Sequence, residues 1–348
     1  MQRFQEIENV LAAYPADCRP GIVETLGGAG GFSGAQLWRL TAPRETLCLR
    51  QFPPEHPDPT RLTWIQSVVA YVAKLGFRLL PLAIATRSGE GFCEYGGYLW
   101  ELTPWMPGTA DFWSDRRPEK LRAAMRELAR FHVAAATFSS ASLNDSAADL
   151  AVPVSARSPG IADRLALVDR LLAGGLDKIR AAVVQNRLAM PALADHVEAL
   201  FRLVTPRLAA LQSSLVEASR IESPLQPCLR DIWHDHVLFE GDRVSGIVDV
   251  GAMRIESVAA DVARLLGSFC GNDHQAWRVG QAAFEAVRPL SADEQALVWA
   301  FDRSQLLLAG ISWVEWVFVE RRTFCDPSAV VKRMEHILSR LGVEFGVR

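Results

Sequence analysis

Several things are missing from this chain, and each absence removes a class of protein. Its six cysteines stand singly, at Cys18, Cys48, Cys93, Cys228, Cys270 and Cys325. None forms a CxxC pair, so a zinc knuckle and a CxxC redox centre are both set aside. Buried free thiols in a reducing cytosol are the plain reading, and a cytoplasmic location is expected. No run is long and apolar enough to cross a bilayer, so no membrane association is expected. There is no block of like charge. The 37 Lys and Arg nearly balance the 40 Asp and Glu, for a formal charge of -3, and nothing electrostatic points to a nucleic-acid partner. Internal repeats and low-complexity segments are also absent. The glycine-rich segment at residues 27–34 has no GK[ST] step, which excludes a Walker loop.

What is present is an ordinary globular composition, 49% hydrophobic and 22% charged over 348 residues. That length suffices for two packed lobes. The N-terminus places Phe4, Ile7, Val10, Leu11 and Tyr14 on one face of an amphipathic helix, a pattern unlike a signal peptide. Strands are expected at Ile22–Leu26, Gln36–Leu40 and Thr46–Phe52, with glycines at the tip of the first hairpin. A helix follows from Leu62 to Lys74, closed by Gly76. Two further strands are expected at Leu82–Thr86 and Tyr98–Leu102. Beyond Pro107-Gly108 helical periodicity takes over: Pro118–Ala136, Ile161–Leu172, Leu176–Gln185, Ala192–Ala218, Ala259–Phe269, His274–Val287, Ala292–Glu320 and Ser328–Leu341. His132, Trp313 and Trp316 fall on apolar helix faces and read as core. The fold class is α+β, a small antiparallel-sheet lobe before a larger, mostly helical one.

One strand-rich island, Cys228–Val250, interrupts the helices and carries the chemistry. Asp231 leads a loop, and His236 stands just before the apolar run Val237-Leu238-Phe239. A Glu240-Gly241-Asp242 turn follows, then a strand from Val244 to Val248, with Asp249 just past it. A hairpin returns its ends to one place, so His236 and Asp249 should be close. That pair suits a divalent cation, with Asp231 nearby as a base. His234 and His236 also spell a zinc-like HxH, but no third His or Cys lies at a useful spacing.

In order along the chain, Leu128-Ala129-Arg130-Phe131-His132, Asp231 with His236, Asp249-Val250-Gly251 and Asp261-Val262-Ala263 resemble the motifs of the aminoglycoside phosphotransferase family. The stretch Glu101–Gly108 is similar to its hinge. The likeness spans roughly residues 20 to 270. It implies a protein-kinase-like fold, with residues 1–103 as the nucleotide-binding lobe, 104–348 as the catalytic and substrate-binding lobe, and a hinge about 101–108. It also implies an ATP- or GTP-dependent phosphotransferase acting on a hydroxyl of a small molecule. In that reading Asp231, with Arg230 beside it, is catalytic, and His236 and Asp249 hold Mg2+. Gly28, Gly30, Gly31, Ser33, Arg50, Glu101 and Thr103 contact the nucleotide. Asp261 would hold the catalytic loop by hydrogen bonds.

Four positions depart from the family pattern. Leu229 replaces the loop histidine, Arg230 the glycine after it and His236 the metal-binding Asn. Arg50 stands nearest the usual strand lysine, a bidentate fork in place of a point charge. The helix Leu62–Lys74 offers no acid to partner it, only Gln66. Three readings therefore stand side by side: an active small-molecule kinase, a pseudokinase that binds nucleotide and serves as a regulatory module, and a metal-dependent hydrolase using Asp231, His234, His236 and Asp249. The missing zinc ligand argues against the last, the missing acid supports the second, and the intact Asp231 and Asp249 support the first.

Overall fold

The computed structural model describes residues 2–27, 34–138, 155–324 and 326–346. The chain divides into two compact units, Met1–Ala151 with His234–Arg254, and Val152–Trp233 with Ile255–Arg348.

The first unit is organised by an antiparallel sheet of β1 (Ile22–Gly27), β2 (Gln36–Thr41), β3 (Thr46–Gln51), β4 (Cys93–Tyr95) and β5 (Tyr98–Pro104), in the order β1-β2-β3-β5-β4. Alternation along β3 buries Leu47 and Leu49 and sends Arg50 to the other face. The helix α1 (Gln2–Leu11) lays Ile7, Val10 and Leu11 on the buried face, against Trp38, Leu40, Trp100 and Leu102. Tyr14, just past the helix, is fully buried there, and its hydroxyl donates to the Trp100 carbonyl at 3.0 Å. Phe4, expected on the same face, is instead 56% exposed. It lies one turn before Ile7, beyond the reach of the sheet's core.

The helix α2 (Pro59–Lys74) starts at Asp58, whose carboxylate accepts from Arg61 N at 2.9 Å. It buries Leu62, Ile65, Val68, Val69 and Val72. The run at 82–86 is not a strand. It makes one ladder-like bond, Ile84 N to Leu102 O at 2.8 Å, beyond the Tyr98–Trp100 stretch of β5 that pairs with β4. The short β4 was not foreseen from the sequence.

The helix α3 (Pro118–Ala135) packs on a hairpin that the chain supplies a hundred residues later, β8 (Val237–Glu240) with β9 (Arg243–Ile247). The Pro107-Gly108 step is fastened to this hairpin. Thr109 and Phe239 exchange both backbone bonds, at 3.1 and 2.9 Å. Gly108 has φ +92°, and a Cβ there would meet the Phe239 carbonyl oxygen at 2.6 Å. Only glycine fits both demands. On α3, Lys120 is fully buried, with Nζ 2.6 Å from Asp111 and 2.8 Å from Asp115.

The second unit is helical around a three-stranded sheet ordered β10 (Arg254–Ser257), β7 (Glu222–Cys228), β6 (Ser155–Arg157). Its helices are α4 (Pro159–Arg170), α5 (Leu176–Gln185), α6 (Pro191–Val204), α7 (Leu208–Ala218), α8 (Ala259–Cys270), α9 (His274–Glu285), α10 (Ala292–Val314) and α11 (Pro327–Phe345). The single helix expected over 192–218 is two, because Pro206 has no N–H to donate and a tight turn, Thr205–Arg207, intervenes. The helix α10 begins at a capping box: Ser291 Oγ accepts from Glu294 N at 3.1 Å, and the Glu294 carboxylate accepts from Ser291 N at 3.0 Å. It ends six residues short of expectation, at Val314, where a wider π turn runs over Glu315–Val319. Among the described residues no helix is long and apolar enough to cross a membrane.

Candidate functional site

In the first unit the site grows from the end of β9. Asp249 follows the strand with φ +60°, a left-handed conformation that Asp tolerates better than most residues. This turns its carboxylate toward β3, where Arg50 Nη1 donates to Oδ1 at 2.9 Å. The other oxygen, Oδ2, lies 3.6 Å from His236 Nε2 at the opposite end of the hairpin. The two ends of the hairpin do meet, as the sequence pattern requires. Burial pushes the Asp249 carboxyl up, but the positive Arg50 and the His236 imidazole outweigh it and hold it below its ordinary value. Burial likewise disfavours the Arg50 cation, yet the carboxylates of Asp249 and Glu101 win and raise its pKa.

Glu101 stands opposite Arg50 in the β3–β5 ladder. Its carboxylate accepts from Gln66 Nε2 at 2.7 Å. Burial raises its pKa, while Gln66 and Arg50 pull the other way. The sequence offered no acid on α2 to support Arg50. The structure supplies one from the neighbouring strand and ties α2 to it through Gln66. Thr103, two residues on, is buried opposite Cys48. Gly28, Gly30, Gly31 and Ser33 lie outside the described residues.

The second unit holds the loop that carries Asp231. Asp261, fully buried in the first turn of α8, accepts from Leu229 N at 2.7 Å and Arg230 N at 2.6 Å. Arg230 has φ +70°. The family's glycine at this position would take that conformation freely, whereas for arginine it costs about 1–2 kcal/mol. Arg230, named with Asp231 as catalytic from the resemblance, sends its guanidinium to another carboxylate. Its Nη1 lies 2.5 Å from Glu256, a carboxylate with no exposed surface. Glu256 also accepts from Gly160 N (2.7 Å), Ser158 Oγ (2.5 Å) and Ser257 N (2.9 Å). A buried carboxylate with four donors leaves Arg230 no freedom to move. Asp231 takes Arg264 instead, Nη2 to Oδ1 at 2.7 Å, and keeps 49% of its side chain exposed.

Glu256, Arg264 and the supporting role of Glu101 were missed in the sequence. Arg264 had a signal: it sits three residues after Asp261, on the same face of a helix whose first turn already holds the loop. Glu256 had none, since a lone acid before an amphipathic helix reads as a solvated cap.

The phosphotransferase enzyme family matches residues 25–294, most of the chain, and the chain belongs to that family. A homoserine kinase of Gluconobacter oxydans is 24% identical over 287 residues, 80% of this chain and 79% of its own length. A homoserine kinase of Xanthobacter autotrophicus is 26% identical over 255 residues, 71% and 67% of the two chains. Among solved structures, spectinomycin phosphotransferase in complex with ADP and spectinomycin aligns with TM-score 0.65 at 13% identity over 97% of each chain. An aminoglycoside phosphotransferase from Alicyclobacillus acidocaldarius aligns at 0.56, with 16% identity over 97% and 95%. The fold is thus α+β and protein-kinase-like. The protein is a small-molecule kinase with a hydroxyl group as acceptor.

Proposed function

We propose that the protein transfers the γ-phosphoryl group of ATP or GTP to a hydroxyl of a small hydroxylated molecule, with Asp231 as the residue that takes the hydroxyl's proton. The observation that carries the reading is the pairing of Arg50 with Asp249 at 2.9 Å, with His236 on the second carboxylate oxygen. It joins a strand cation to the aspartate past the hairpin, the arrangement that phosphoryl transfer uses to hold phosphates and a metal. Magnesium prefers oxygen ligands. The Asp249 carboxylate, kept ionised by Arg50, fits that preference, and the His236 nitrogen is a softer second donor. Magnesium held there would neutralise charge on the transferring phosphoryl group. Arg50 would grip phosphate as a bidentate fork. Glu101, opposite it in the ladder, adds a negative charge that favours the cation. Residues 1–103 would bind the nucleotide and residues 104–348 carry the catalytic loop and the acceptor.

Asp231 is open enough to meet a hydroxyl, and Arg264 holds its Oδ1 at 2.7 Å, which fixes the direction of the carboxylate. The relatives by sequence are named homoserine kinases, so small hydroxy amino acids are the first acceptors to try. The non-catalytic reading finds no support among these relatives.

Calorimetry with ATP and GTP, with and without magnesium, comes first, followed by nucleotide turnover against a panel of small hydroxy compounds. Magnesium-dependent binding and turnover with at least one hydroxy compound are expected. No heat and no thermal shift at millimolar nucleotide would sink the reading.

A further inference from the structure

The left-handed conformation of Asp249 is held from both sides. Before it, Val248 N donates to the His236 carbonyl at 2.9 Å. After it comes a tight helical turn, Val250–Ala252, closed by Met253 N on the Val250 carbonyl at 3.0 Å. A turn this short supplies no donors for its later carbonyls, so those of Gly251, Ala252 and Met253 need partners from another element.

They find them at the start of α2, within the same unit. Arg61 Nη2 donates to the Met253 carbonyl at 2.6 Å and, less closely, to the Ala252 carbonyl at 3.4 Å. His56, in the loop before the helix, brings Nε2 to 3.2 Å from the Gly251 carbonyl. A carbonyl only accepts, so this nitrogen carries the ring proton. The Asp58 cap fixes where α2 begins and so puts Arg61 in its first turn. A cation there stands against the helix dipole, and its Nε is buried without a hydrogen-bond partner. Neither feature serves the helix. Both follow from sending the guanidinium to the turn behind Asp249.

We propose that Arg61, assisted by His56, is a positioning residue for Asp249. By holding the carbonyls that follow, the start of α2 sets where the Asp249 carboxylate points and how well it takes magnesium. This rests on the metal reading given above. Arg61 touches neither metal nor substrate in this scheme and acts only through the backbone of the turn.

The test uses the full chain, calorimetry with ATP over a magnesium titration, and hydrogen exchange of the peptide spanning Asp249–Met253. Arg61→Ala should raise the magnesium needed for half-maximal nucleotide binding by about tenfold, the low end of the scale for losing a group that orients a metal ligand. Affinity for ATP without magnesium should stay as in the parent, and exchange across the turn should quicken. Arg61→Lys keeps the charge but not the planar fork, and should fall between the two. His56→Ala should give a shift of about threefold, the scale of one hydrogen bond. Lys74→Ala removes a cation from the last turn of the same helix and should change nothing. A fall in thermal stability of Arg61→Ala with an unchanged magnesium requirement would make Arg61 a fold residue only and overturn the proposal. If Arg61→Ala does not fold, Arg61→Lys and His56→Ala decide: a raised requirement in both supports the clamp, and parent-like titrations refute it. If magnesium has no effect even on the parent, the metal reading fails by itself, and exchange judges the clamp. Faster exchange in Arg61→Lys and His56→Ala then supports it, and exchange equal to the parent's refutes it.

Discussion

In the first unit Asp249 meets a guanidinium on one oxygen and an imidazole on the other, and 32% of its side chain stays open. In the second unit Glu256 has no open surface, and both its oxygens are filled by donors from three directions. The two carboxylates face arginines alike, but to different ends. An ionised carboxylate that keeps exposed surface can still take a ligand. One sealed among backbone N–H groups can only hold shape, and what Glu256 and Asp261 hold is the left-handed turn at Arg230 that presents Asp231. Chemistry and scaffold are thus separated within a few residues of sequence.

The largest expected effect strikes the open carboxylate. Asp249→Ala should abolish magnesium-dependent nucleotide binding, measured by calorimetry, while thermal unfolding without nucleotide changes little. A large stability loss instead would put Asp249 on the scaffold side. Next, Asp231→Asn should leave nucleotide affinity unchanged and lower turnover by about a hundredfold or more, the scale of a lost general base. Equal rates at saturating nucleotide and acceptor would remove Asp231 from that role.

The sealed carboxylate should behave in the opposite way. Glu256→Ala leaves Arg230 buried without its partner and should cost about 3–5 kcal/mol of stability in denaturant titration. Urea curves that superpose on the parent's would show that the loop does not depend on it. The smallest effect isolates backbone strain. Arg230→Gly and Arg230→Ala both lose the Glu256 pair, but only glycine relieves φ +70°. The glycine variant should therefore be the more stable of the two by about 1 kcal/mol. The reverse order would mean that the turn is not strained.

Much of this was readable in the residues. The hairpin could be drawn from Val237-Leu238-Phe239, the Glu240-Gly241-Asp242 turn and Val244–Val248, and hairpin geometry alone brought His236 to Asp249. The side-chain partners of the arginines could not. Arg230 neighbours Asp231 in sequence, yet a left-handed backbone at Arg230 sends its side chain to Glu256, and Asp231 is met by Arg264 from a helix thirty-three residues on. Likewise Glu101 read as a hinge contact, because only the β3–β5 register, which one strand's sequence does not specify, sets it opposite Arg50. Local pattern fixes elements and their ends. Which of several like charges pairs with which is settled by packing.

The place of Glu101 has one more consequence. In protein kinases the acid that steadies the strand cation rides on a helix, and swinging that helix in or out turns the enzyme on or off. Here the acid is part of the same ladder as the cation, and the helix offers only an amide, Gln66, bonded to that acid. Strands joined by backbone hydrogen bonds do not slide past one another to break a contact. A tilt of α2 would loosen Gln66 and leave Arg50 and Glu101 facing each other. The nearness of Glu101 to Arg50 therefore follows from strand register and does not depend on the position of α2.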